Sequence, residues 1–136
     1  MPAADAVLLP LEGREAILNH AHWCHPLEAC GLLAVDPDGR IAMVYPLTNR
    51  DASPVRFTVD PAEQFGAVNH SEDRGWEIGG AFHSHPDGRA ILSPVDLAAI
   101  QPQDWIQIVV GFVPRLEMRA WTVNQGEPRE LTLSST

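Results

Sequence analysis

His83 and His85 stand two residues apart ahead of Pro86, and Ser93-Pro94-Val95-Asp96 follows after a short loop. Residues two apart on a β-strand project from one face, so the two imidazoles can converge on a single cation. Asp96 can supply a third protein ligand, leaving the fourth tetrahedral position open to water, the feature that separates a catalytic zinc site from a structural one. The chemistry predicted is metal-assisted hydrolysis. Ser93-Pro94-Val95-Asp96 also has the form of a helix start, with a serine N-cap, proline at the first helical position and an acidic residue at the third. The two roles are compatible, because a serine oxygen can accept an amide hydrogen bond while donating its own proton to an oxyanion.

Hydrolysis at such a site needs a base, and a carboxylate beside the metal can take a proton from water and hand it to the departing amine. Glu28, in Pro26-Leu27-Glu28-Ala29-Cys30-Gly31 at the start of the first predicted strand, is the candidate. Without the histidines it would read as a solvated strand-edge charge. Glu28, His83-Ser84-His85-Pro86, Ser93 and Asp96 together resemble the signature of the JAMM (MPN+) metalloproteases, which hydrolyse amide bonds at the C-termini of ubiquitin-like proteins. The resemblance runs from about Glu15 to Trp121. It implies that His83, His85 and Asp96 bind one zinc ion per chain, that Glu28 is the general base, and that Ser93 stabilises the tetrahedral intermediate. Every position of the signature is filled, so a working enzyme is implied and not a motif-lacking MPN scaffold subunit.

The 54 residues between Glu28 and His83 leave little room for the long insertions with which eukaryotic deubiquitinases of this family grip ubiquitin. The chain is similar instead to compact bacterial members, among them peptidases that release cysteine from the Gly-Gly end of a thiocarboxylate sulfur-carrier protein in cysteine biosynthesis. The implied partner is a ubiquitin-like or sulfur-carrier protein with a C-terminal Gly-Gly. Val55 to Val59 is expected to form an edge strand to which such a tail adds by backbone hydrogen bonds. Arg56 on it either meets a carboxylate of the substrate or blunts the edge as a solvated charge. Two further readings stay open: a deconjugating isopeptidase for ubiquitin-like modifiers, and a zinc-stabilised protein-binding module without turnover. Zinc deamination of nucleosides is disfavoured, because no H-x-E with a later P-C-x-x-C is present.

At 136 residues with 45% hydrophobic residues, the chain can fill one core and is too short for two ordinary domains, so a single domain over residues 1–136 is expected. The formal charge of −9 and the absence of any basic run argue against nucleic acid as a partner. Met1 to Pro10 contain Asp5 and no Lys or Arg, which is unlike a secretory signal, and no membrane-spanning run follows. No membrane partner and a cytoplasmic location are expected, and a homodimer is one assembly left open. Cys24 and Cys30 are too few for a disulfide framework.

The elements that must position the site are read from pattern. Gly13 to Trp23 reads as a helix ended by Pro26. Ala29 to Val35 reads as a buried strand, turned by Asp36-Pro37-Asp38-Gly39 into a second strand over Ile41 to Pro46. Asp60-Pro61 opens a helix with Phe65 and Val68 inward, ended near Gly75. Glu77 to Ser84 delivers the histidines, with Gly79-Gly80 allowing a bulge or close approach. A short helix over Pro94 to Ile100 and strands over Trp105 to Val113 and Leu116 to Val123 follow, and the tail is expected to add at most one edge strand. The expectation is an α/β fold, a curved mixed central sheet with helices on both faces, as the resemblance to the MPN architecture also implies. His20, His22, Cys24, His25 and Cys30 crowd one region, yet helical phase separates His20 from His22 and His25, so a second zinc site is not expected.

Overall fold

The computed structural model describes residues 5–99 and 104–135, so Met1 to Ala4, and Ile100 at the end of the expected third helix, lie outside the described residues. The elements are β1 (Ala6–Leu8), α1 (Leu11–Cys24), β2 (Cys30–Val35), β3 (Ile41–Leu47), α2 (Pro61–Glu72), β4 (Glu77–His85), α3 (Pro94–Ala99), β5 (Ile106–Gly111), β6 (Glu117–Asn124) and β7 (Glu127–Ser134). They build one seven-stranded sheet in the order β1-β7-β6-β5-β4-β2-β3. It is mixed: β1–β7 and β4–β5 are parallel and the other pairs antiparallel.

The strand alternation divides the core between the two faces. Leu33, Phe82, Ile108 and Val110 point to one face, where Ile17 and Ala21 of α1 cover them. Leu32 and Ala81 point to the other and meet Ala67 of α2, while Val109 and Val123 pack with Leu97 of α3. Helices therefore flank both faces, and β2 and β5, buried on both, read as largely apolar runs for that reason. At Gly79 the β2–β4 register slips, Leu33 facing Gly80 and Ala34 facing Ile78, which is the bulge that the glycine pair suggests.

Three expectations need correction. Val55 to Val59 is not an edge strand; Val59 makes only an isolated bridge to Asn49, and the segment is held by side-chain hydrogen bonds. Phe65 does not face inward but is 69% exposed, because α2 turns the small residues Ala67 and Ser71 to the sheet, which lets the helix approach closely. The tail strand β7 is not an edge: β1, too short at three residues to show periodicity, pairs parallel beside it and takes the edge. No described helix is long and apolar enough to cross a membrane.

Candidate metal centre

The site sits where β2 begins and β4 and β5 end. Cys30 pairs with His83 in the antiparallel β2–β4 ladder, so extending that register by two places Glu28 opposite His85. Ser84 closes the extension: its N–H donates to the Ala29 carbonyl at 3.1 Å, and its buried Oγ accepts from the Ala29 N–H at 2.8 Å. On the other side His85 is in parallel register with Gly111. A Cβ on Gly111 would lie 2.4 Å from the Ala90 nitrogen, so only glycine lets the 88–90 backbone reach the strand. That backbone matters, because the Arg89 carbonyl lies 2.9 Å from His85 Nδ1.

Asp96 arrives from α3. Ser93 and Asp96 form a reciprocal cap, Asp96 N–H donating to Ser93 Oγ at 3.1 Å and Ser93 N–H to Asp96 Oδ2 at 2.9 Å. The helix-start reading of this segment is therefore correct. The same Oδ2 lies 3.0 Å from Nε2 of both His83 and His85, and those two nitrogens are 3.1 Å apart. Glu28 completes the group, with one ligand atom from each of the four residues within 4.8 Å of the others.

The donor set fits a cation on its own chemistry. A carbonyl only accepts, so His85 Nδ1 must carry the proton that it gives to Arg89, and in the neutral ring Nε2 is then a bare lone pair. That lone pair faces a carboxylate oxygen and a second imidazole nitrogen at about 3 Å. Three Lewis bases aimed at one point repel unless a proton or a metal ion lies among them. The electrostatics agree for the metal-free state. Burial opposes charge on His85, but the hydrogen bonds to Asp96 and the Arg89 carbonyl outweigh it and raise its pKa. Burial likewise works against the Asp96 carboxylate, yet the His83 and His85 hydrogen bonds hold its pKa far below the ordinary range. Two imidazoles and a carboxylate with an open side are ligands of zinc type.

Glu28 is 2% exposed, and its buried Oε1 has no hydrogen-bond partner among the described residues. Burial pushes its carboxyl up to about 7, with His85 opposing and Asp96 adding. An unfolded glutamate ionises near 4.5, so the metal-free native protein holds an extra proton between that pH and 7. Its stability should fall as pH rises through that window. At ~1.4 kcal/mol per pKa unit, the loss totals on the order of 3 kcal/mol. Glu28→Gln removes this ionisation. Metal-free Glu28→Gln is therefore expected to gain on the wild type by ~2–3 kcal/mol at pH 8 and by little at pH 5. Urea midpoints with the same pH dependence in both proteins would contradict it.

Phe57, which the sequence did not mark, also stands here, beside Arg56, which it did. The Phe57 ring stacks on His83, 5.0 Å between centroids at 27°, and with Arg56, Val59, Val95 and Trp105 it lines a cavity of about 370 Å³ opening beside the histidine. Ser84 could have been noticed as a small polar residue between the two histidines, pointing to the opposite face of the strand; Phe57 lies in a stretch whose pattern suggests only an edge strand. The His/Cys-rich region makes no second site. His20 Nε2 bonds the Leu47 carbonyl, His22 and His25 pack on Phe112, and burial drives the Cys30 thiol up to about 12. Among the described residues, Glu28, His83, His85 and Asp96 are the one group of three or more ligand-type side chains close enough to share an ion.

Known proteins resemble the chain in both sequence and fold. Residues 10–124 match the family described as prokaryotic homologs of the JAB domain. The chain is 30% identical to a desampylase of Haloferax volcanii over 132 residues, covering 93% of this chain and 94% of that one. It is 33% identical to a CysO-cysteine peptidase of Mycobacterium tuberculosis over 119 residues, 85% and 81% of the two chains. In fold it is similar to a JAB1/MPN domain protein from Archaeoglobus fulgidus, with a TM-score of 0.62 at 19% identity over 98% of this chain and all of the other.

Proposed function

The chain belongs to the prokaryotic JAB-domain family and is a hydrolase of the JAMM metallopeptidase type; from that premise we propose that it cleaves the amide bond at the C-terminal Gly-Gly tail of a small ubiquitin-like sulfur-carrier protein. His83, His85 and Asp96 would hold one zinc ion per chain. When bound, zinc polarises the scissile carbonyl and brings the pKa of water from about 16 toward roughly 7. The chain's own residues do the rest. Glu28, buried and with an unpartnered oxygen beside the three ligands, takes the proton from the attacking water and delivers it to the leaving amine. Ser93 Oγ already accepts from the Asp96 amide, and its hydroxyl proton is donated to the oxyanion. The Arg89 carbonyl fixes the His85 tautomer, and the stacked Phe57 holds the His83 ring plane.

The observation that carries this reading is the convergence of two imidazole lone pairs and a carboxylate beside an unpaired buried glutamate. The relatives named desampylase and CysO-cysteine peptidase support two versions of the leaving amine, deconjugation from a protein and release of cysteine. A Gly-Gly tail suits both, since glycines thread a narrow approach and can be gripped through the backbone alone. Of the two, release of cysteine in cysteine biosynthesis is the narrower proposal and deconjugation the alternative. Mass spectrometry of the zinc-loaded protein with a carrier–cysteine adduct and, separately, with a carrier–lysine isopeptide separates them. Cleavage of the cysteine adduct supports the first, and cleavage of the isopeptide alone moves the function to deconjugation. Neither substrate being cut would leave a zinc-stabilised binding module.

A further inference from the structure

Asn49 stands in a stretch with nothing but loop composition, yet its side chain touches more of the site's framework than any ligand does. Nδ2 donates to the carbonyls of Glu28 and Arg56, both at 3.0 Å, and more distantly to that of Ser53 at 3.5 Å. Oδ1 accepts from the amides of Asp51 at 3.0 Å and Thr58 at 3.1 Å. The orientation of this amide follows from its partners, because a flip would set the NH₂ against two N–H donors and the oxygen against carbonyls.

Two of these bonds matter for position. The Arg56 carbonyl and the Thr58 amide belong to the peptide groups on either side of Phe57, the residue stacked on His83, so one side chain grips Phe57 from both directions. The same Nδ2 holds the Glu28 carbonyl, while the Glu28 amide donates to Ser53 of the same loop at 2.8 Å. Both main-chain polar groups of the base are thereby tied to the segment that forms one wall of the cavity. The bridge at Val59, the Arg50–Thr58 backbone bond and the Thr58 hydroxyl donating to Asp51 at 2.7 Å add to these ties.

We infer that Asn49 is a positioning residue that joins the base Glu28 and the substrate-facing Phe57 wall into one unit, so that a substrate seated on the wall finds the base in register. This rests on the role proposed for Glu28, and the test is chosen to separate the two. Amide exchange on the zinc-loaded wild type should show the Glu28, Asp51 and Thr58 amides at least tenfold slower than free-loop rates, and Asn49→Ala should release all three together. On a Gly-Gly isopeptide or cysteine adduct, Asn49→Ala and Asn49→Asp should lower kcat at least tenfold and raise KM severalfold while retaining one zinc. Asn49→Asp keeps the acceptor for the Asp51 and Thr58 amides but loses both donors, so it removes the ties to the Glu28 and Arg56 carbonyls together. If Asn49→Ala leaves Glu28 exchange unchanged, or either variant merely melts earlier with kcat and KM intact, the inference is wrong. Free-loop exchange of Thr58 in the wild type overturns it without any variant. Were the wild type to cut neither substrate, the proposed function would fail while the exchange data still decided the role of Asn49.

Discussion

Glu28→Gln is expected to keep its fold and one zinc per chain while turnover falls by about a hundredfold to ten-thousandfold, the range over which a positioned general base contributes. The substitution is nearly isosteric, and the side chain makes no hydrogen bond through Oε1 that the amide would have to replace. The main-chain bonds that hold residue 28, from its amide to Ser53 and from Asn49 to its carbonyl, do not involve the altered group. What is lost is the ability to accept a proton. Steady-state kinetics beside metal analysis of the same preparation checks this, and a variant within twofold of wild-type kcat would make Glu28 a bystander.

The second large effect is on the metal. His85→Ala removes one of the three proposed ligands and should bring zinc from about one equivalent to near none, with turnover falling below detection. The fold is expected to persist, because Gly88 N–H still bonds the residue 85 carbonyl and the Phe112 and Val113 amides still bond Gly88, so the loop keeps its backbone ties. Circular dichroism with plasma emission measurement of zinc tests both halves. Full zinc retention after combined substitution of His83, His85 and Asp96 would remove the site altogether.

The placement of the proposed ligands was legible because it depends on local geometry: strand alternation fixes where His83 and His85 point, and a helix cap fixes Asp96 beside Ser93. Glu28 lies 55 residues before His83, and only the resemblance to a known motif joined them; the reason they meet is the β2–β4 register, which no local pattern encodes. Helix α2 was found from its Asp60 cap and Pro61, yet its inward face was misjudged, since large apolar residues draw attention and here alanine and serine make the contact. The stretch from Asn49 to Val59 was the least legible. Its order comes from one amide side chain bonding five backbone groups, and neither periodicity nor composition carries that information.

We propose that hydrolysis depends on one zinc ion held by His83, His85 and Asp96. Titrating zinc into the metal-free protein while following cleavage of a Gly-Gly conjugate tests it most directly. Activity is predicted to rise linearly from near zero to a plateau at one equivalent per chain, and to stay at zero throughout in His85→Ala. Cleavage by the metal-free protein at the full rate, or an unchanged titration in His85→Ala, would contradict it.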